Sequence, residues 1–413
     1  MPDSPTLAII GAGAAGLMAA CTAAGAGARV VVLEGSADGG RKILISGGGR
    51  CNVLPSRLAP ERFTSDSSPH LVKRLLTSWP LDAQRRFFED DLGLPLALEA
   101  ETGKLFPRSN RARDVRDGLV DAARHRGAEL RFGTRVTGVA PGPGGFTITV
   151  AGGPPLVAAA VIVTTGGLSV PATGSDGFGL ALAQRLGHVL HPTYPALTPL
   201  TADPPVHAGL AGVSLAVTLR APGRRAAESS GGFLFTHRGY SGPAVLDLSH
   251  HAVRSRLAGG EHQPLLVQWG TVDAAGWEAL LQQRSAAGVL GLLRERLPAR
   301  LAERLLDEAG VAPDCQLAQL KREDRRALVE RLTRYPLPWT GDEGYKKAEV
   351  TGGGVALGEV DPATLESRKV PGLYFAGEVL DAFGPIGGHN FAWAWATGRL
   401  AGLGAAKQTG RAD

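Results

Sequence analysis

Gly11, Gly13 and Gly16 stand in a G-x-G-x-x-G spacing inside the apolar run Leu7–Met18, and Glu34 follows eighteen residues after Gly16. Each residue type suits one task. Gly11 permits a tight turn after a strand, Gly13 leaves room for a pyrophosphate, and Gly16 lets a helix pack closely on the sheet. The N-terminus of that helix would face the phosphates with free N–H groups and a partial positive charge. Glu34 closes a second strand, where a carboxylate can bind ribose hydroxyls. Together these residues are suited to holding a dinucleotide.

Three further clusters carry cofactor-like chemistry. The loop Gly39–Asn52 contains three consecutive glycines, Gly47 to Gly49, which permit close backbone approach to a ligand. Its Arg41, Lys42 and Arg50 can neutralise phosphate or stabilise an anionic ring, and Ser46 and Asn52 can hydrogen-bond ring heteroatoms. Cys51 in the same loop reads as a small buried contact, with a redox or covalent role as the alternative. The run Ala160–Gly167 reads as a buried parallel strand ending in a turn at Thr165 and Gly166. Near the C-terminus, Gly372–Asp381 is an apolar strand ending in Ala-Gly-acid, with Gly377, Glu378 and Asp381 at its tip. Gly384–Asn390 then opens a helix over 391–400. Gly387, Gly388, His389 and Asn390 would aim its N–H groups at an electron-rich acceptor.

Candidates for acid–base work are few. His389 is a possible proton donor, with a backbone-only role as the stronger reading. His237 could serve a site or the core, and Arg50 could stabilise charge. Lys346 and Lys347 read as solvated.

The elements that must position these residues follow from pattern. Residues 1–34 spell β-α-β. Helical patterns cover 69–92 and 111–127, and 129–150 reads as short strands around the turn at 141–145. From 191 the chain becomes Pro- and Gly-punctuated, with short alternating strands at Val213–Leu219 and Gly232–Phe235. Helical spacing dominates 274–334. Cofactor motifs at both ends imply one α/β cofactor domain, 1–190 with 350–413. The insert between them divides into a β-domain (191–273), a helical subdomain (274–334) and a return strand (335–349).

Composition bounds the rest. Hydrophobic residues make up 44% of the 413, enough for a sizeable core. No apolar run approaches the roughly 18 residues of a membrane helix. A first strand beginning by Leu7 leaves no room for a leader, which predicts a cytoplasmic protein. Three cysteines, Cys21, Cys51 and Cys315, form neither a CxxC nor a metal spacing, so no metal site is expected. The net charge of +5 permits nucleic-acid binding, but no basic-aromatic motif accompanies it, and a solvated arginine-rich surface is the plainer reading.

Four segments carry a resemblance: GRKILISGGGRCNV, FLFTHRGYSGPAVLDLS (233–249), VTGGGVALGEVDPATLES (350–367) and GLYFAGEVLDAFGPIGGHNFAWAWATG (372–398). In this order they resemble the bacterial NAD(P)/FAD-dependent oxidoreductase family that includes BaiN-like and aminoacetone-oxidase-like flavoproteins. The resemblance spans nearly the whole chain. It implies FAD in a Rossmann-like domain built from both termini, an inserted β-barrel-like domain and a small helical domain. It also implies FAD contacts at Gly11, Gly13, Ala14, Ala15, Glu34, Lys42, Ser46, Gly48, Arg50, Cys51, Asn52, Val136, Thr165, Gly377, Glu378, Gly388, His389 and Asn390. The family's Gly-Gly-Tyr-Asn reads Gly-Gly-His-Asn here, so a tyrosine hydroxyl has no counterpart.

The implied activity is that of an FAD-dependent oxidoreductase passing hydride between flavin N5 and a small substrate held near the insert. No second G-x-G-x-x-G follows a strand, so NAD(P)H would bind transiently if it is the donor. Alternatives are an amine-oxidising flavin oxidase using O2, a flavoprotein acting on RNA, and a non-catalytic flavin-binding protein.

Overall fold

The computed structural model describes residues 6–223, 226–259, 261–283 and 285–410. The chain divides into two compact units, 1–193 with 350–413, and 194–349.

The first unit is built on a five-stranded parallel sheet. Its order is Leu373–Phe375, Ala160–Val163, Thr6–Ile10, Arg29–Leu33, Glu129–Arg131. The register pairs Ile9 with Val32 on one side and with Ile162 on the other, and Ile162 with Tyr374. These strands read as continuous Val, Ile and Leu runs because both sheet faces are covered; Leu7, Ile9, Val161 and Ile162 are fully buried. The sheet takes its edge strand from near the C-terminus, so the last glycine cluster is delivered to the same sheet as the first.

Helix Ala14–Gly25 follows the first strand, and helix His389–Thr409 closes the chain. They cross on small residues. A Cβ on Gly402 would lie 2.7 Å from the Ala19 carbonyl, and one on Gly398 would meet the Ala15 backbone. The C-terminal helix outruns the expected 391–400 at both ends. Gly402 and Gly404 in its tail have poor helix propensity, and burial against Ala19 of the first helix and against Thr364 overrides that. The expected helical stretch 69–92 is broken before Leu81 by Pro80, giving Pro69–Thr77 and Leu81–Arg86. A hairpin sheet, Val136–Gly142 with Gly145–Val150 and Leu156–Ala158, and a small sheet of Leu54–Pro55, Lys104–Pro107 and Leu96–Glu99 complete this unit's strands beside the pair Leu190–Ala196 and Val350–Val355.

The second unit carries a seven-stranded sheet. Its order is Tyr335–Pro336, Leu266–Trp269, Ser214–Ala221, Ala227–Phe235, Gly239–Ser241, Leu200–Thr201, Gly341–Asp342. The two end strands do not pair with each other among the described residues, so the expected barrel is an open sheet. Both edges are only two residues long, which limits exposed backbone without closure. The expected single return strand over 335–349 is these two short strands, on opposite edges. Helices Pro243–Leu257, Ala274–Leu281, Val289–Arg294, Ala299–Glu308 and Arg322–Thr333 supply the rest. Phe233, Phe235, Tyr240, Trp269 and Trp277 fill its core.

No described helix is long and apolar enough to cross a membrane. Among the described residues, no group of histidines, cysteines and acids could hold a metal ion.

Candidate functional site

The three glycines of the first turn divide their labour. Gly11 is left-handed (φ +99°), donates to the Leu33 carbonyl at 2.9 Å, and would bring a Cβ to 2.8 Å from the Thr164 carbonyl. A Cβ on Gly16 would run into the Gly11 carbonyl. Both are packing glycines. Gly13 differs: it is the helix N-cap, and a Cβ there would meet nothing within 4 Å. Open space therefore begins where the helix presents its free N–H groups. Ala14 and Ala15 form the first turn of that helix. Ala15 lies against Gly377, whose added Cβ would be 2.8 Å from its own. Glu34 folds back on the turn: Oε2 accepts from Ala12 N–H at 2.7 Å, and Oε1 accepts from Ser36 N–H at 2.8 Å and Oγ at 2.7 Å.

In the second cluster, Lys42 sits on the short helix Arg41–Ile45. Its Nζ donates to Glu378 Oε2 and to Ser169 Oγ, each at 2.6 Å. Glu378 Oε1 accepts from Ser169 Oγ at 2.6 Å and from Thr351 N–H at 3.0 Å. Gly47, Gly48 and Gly49 are all left-handed, and Cys51 follows at φ +61°. A Cβ on Gly48 would meet nothing within 4 Å. Ser46 Oγ is spent locally on the Ile43 carbonyl at 2.8 Å. Cys51 is fully buried, and burial pushes its thiol up to about 12. A thiol held protonated is a packing group rather than a nucleophile. The Asn52 amide is placed to accept from Gly388 N–H at 3.0 Å and donate to the Leu54 carbonyl at 3.2 Å.

At the C-terminal cluster, Gly387 and Gly388 are left-handed at φ +108° and +90°. A Cβ on Gly388 would lie 2.6 Å from the Leu54 carbonyl carbon, so this glycine serves a backbone crossing. Asn390 ties the loop to itself, with Oδ1 accepting from Gly384 N–H at 2.9 Å and Nδ2 donating to its carbonyl at 3.0 Å. His389 is buried edge-on to Phe63. Burial first, and the Arg62 guanidinium second, lower its pKa to about 4, so the imidazole is neutral near pH 7. Val136 is buried at the start of the hairpin sheet, and Gly166 is left-handed. Thr165 Oγ1 is buried without a partner.

The fold thus brings together Lys42 with Glu378, Asn52 with Gly388, Ala15 with Gly377, and Glu34 with the first glycine turn. Four sequence candidates make their contacts outside these pairings. Arg41 faces Asp38 at 3.0 Å on the surface. Arg50 pairs with Glu99 at 3.1 Å and lies over the Phe106 ring. Asp381 Oδ2 accepts from Ser65 Oγ, Asp66 N–H, Ser67 N–H and Ser67 Oγ, holding that loop. His237 is exposed on the turn before strand Gly239–Ser241 of the second unit. The sequence reading missed Ser169, Thr351 and Arg116, whose Nη1 donates to the Gly39 carbonyl at 3.2 Å. Ser169 had a faint signal, lying just past the Gly166 turn. Val170 beside it is a β-branched residue at φ +48°, a costly conformation that tends to mark functional loops.

These residues fit the FAD implied by the resemblance. Space lies open off Gly13 and Gly48, a carboxylate ends the second strand, and one buried hydroxyl, Thr165, is unmet.

Residues 5–404 match the family described as HI0933-like protein Rossmann domain. The chain is 37% identical over 397 residues to the ribosomal RNA dihydrouridine synthase of Escherichia coli (strain K12), covering 94% of this chain and 95% of that protein. It is 33% identical over 408 residues to the 3-dehydro-bile acid delta(4,6)-reductase of Clostridium scindens, covering 97% and 98%. In fold it is similar to the 3-ketosteroid delta1-dehydrogenase from Sterolibacterium denitrificans, with TM-score 0.52, 13% identity, and coverage of 98% of this chain and 100% of that one.

Proposed function

Because the chain belongs to the HI0933-like Rossmann-domain family of FAD-dependent oxidoreductases, we propose that it is a reductase that saturates a carbon–carbon double bond conjugated to a carbonyl. One observation carries this reading. The two relatives above have unrelated substrates by name, yet both names describe chemistry at such a bond. Dihydrouridine is uridine saturated beside a ring carbonyl, and a delta(4,6) double bond system is conjugated to the 3-oxo group. FAD, when bound, supplies the hydride.

The chain's own residues bind and orient. The open space off Gly13 suits the pyrophosphate, and Glu34 suits the ribose once it exchanges a backbone partner for a hydroxyl. Lys42 and Glu378 fix the loop 164–170 against the Arg41–Ile45 helix. Cys51 fills space. NAD(P)H would act as a transient donor in the cytoplasm, leaving before the substrate enters.

Uridine in ribosomal RNA is the substrate we place first, supported by the higher identity. A steroid-like enone is the second, supported by the 33% identity to the bile-acid enzyme. The test is anaerobic incubation of photoreduced holoenzyme with ribosomal RNA from a strain lacking this gene and, separately, with a delta(4,6)-3-oxosteroid. Mass spectrometry should show a two-hydrogen gain in one of them. No gain in either overturns the reading.

A further inference from the structure

We propose that His191, backed by the carboxylate of Asp381, delivers the proton that completes the reduction. The role rests on the double-bond reading above. Saturation needs a hydride on one carbon and a proton on its neighbour, and reduced flavin accounts for the hydride. The electron pair of the double bond then rests on the carbon next to the carbonyl as an enolate. An acid must break an N–H or O–H bond there as the new C–H bond forms.

His191 has the setting for that. Its Nε2 lies 3.7 Å from Asp381 Oδ2, and the Asp381 side chain is 2% exposed while that of His191 is 27% exposed. One side of the imidazole therefore faces a buried carboxylate and part of the ring is reachable. A proton donor must both meet its substrate and be recharged from solvent. The carboxylate itself is rigid. Its Oδ2 accepts from Ser65 Oγ, Asp66 N–H, Ser67 N–H and Ser67 Oγ at 2.8 to 3.0 Å. Asp381 is thus a positioning residue, orienting the ring.

Two backbone routes tie this pair to the candidate cofactor loops. Asp381 lies in the same segment as Glu378, Gly387 and Gly388, and its N–H donates to the Val355 carbonyl at 2.9 Å. His191 lies on the strand Leu190–Ala196, which pairs with Val350–Val355, and Thr351 of that strand donates to Glu378. Other buried histidines are committed. His188 is fixed between the Ala183 carbonyl and Ser367 Oγ, and His207 between the hydroxyls of Tyr240 and Tyr335. His389 is buried and neutral near pH 7.

The test uses FAD-loaded wild type, His191→Gln and Asp381→Asn with the same two probes, ribosomal RNA from a strain lacking this gene and a delta(4,6)-3-oxosteroid. His191→Gln should keep wild-type FAD content and melting midpoint and lose about a hundredfold in kcat with little change in KM. Asp381→Asn should lose about tenfold in kcat; if it fails to fold, His191→Gln decides alone. Turnover of His191→Gln within threefold of wild type overturns the proton role and leaves the double-bond reading standing. Wild type that reduces neither probe overturns both.

Discussion

Gly13 and Gly16 look interchangeable in the sequence and are opposites in the structure. Gly16→Val would drive its Cβ into the Gly11 carbonyl, so that variant should be destabilised by at least about 3 kcal/mol and collect as insoluble protein. The spacing revealed that glycines were needed; which one faced space needed coordinates. Glu34 was legible as the acid ending the second strand. Its three present partners are backbone and serine donors of its own turn, so Glu34→Ala should weaken FAD binding by about 1–3 kcal/mol in a fluorescence titration. Lys42 was legible as a cation but not as the partner of Glu378, which is 336 residues away. Lys42→Met should leave a half-buried carboxylate short of a partner and cost the first unit about 1–3 kcal/mol. Adding Glu378→Gln should restore part of that loss in a double-mutant cycle. A loss in the double variant equal to the sum of the two single losses would show that the pair is not coupled.

At the scale of elements, periodicity found the strands of the parallel sheet because both faces are buried and their residues run apolar without interruption. It found the C-terminal helix but not its extent. Gly402 and Gly404 are poor helix formers, and close packing on the first helix at Gly402 and on Thr364 at Gly404 keeps them helical. Gly402→Val should therefore cost about 3 kcal/mol, since its Cβ would meet the Ala19 carbonyl at 2.7 Å. Calorimetry should show the loss in the first unit alone; an unchanged first transition would mean the crossing is loosely held. For the second unit the short alternating strands predict a β-domain and the family resemblance implies a barrel, but the sheet is open, because short alternating strands do not encode closure. Whether the ends meet depends on strand order, which put two-residue strands at both edges.

For the whole molecule, motifs at the two ends of the chain were enough to predict one cofactor domain. They were legible because each is a local glycine-rich pattern. The links between them were not, because side-chain networks such as Lys42–Glu378–Ser169 leave no spacing signature. Both units should lose stability in acid. His389 in the first unit titrates near 4 when folded and near 6.5 when unfolded, so the unfolded chain takes its proton first. Its contribution is fully present above pH 6.5 and is lost between 6.5 and 4, up to about 3 kcal/mol. His250 in the second unit, lowered to about 3 chiefly by burial, extends the same loss further. Glu308 there lies near 2, and its share is lost only as pH falls from 4.5 to 2. Melting curves of His389→Phe should flatten the first unit's dependence between pH 6.5 and 4 and leave the second unit's unchanged. The most direct test of the account is the FAD content of folded Gly13→Val beside wild type. Wild type should bind about one FAD per chain, and the variant should keep its melting midpoint as an apoprotein yet take up none, because its side chain would fill the space off the helix N-terminus. FAD at the wild-type level in folded Gly13→Val would contradict the account.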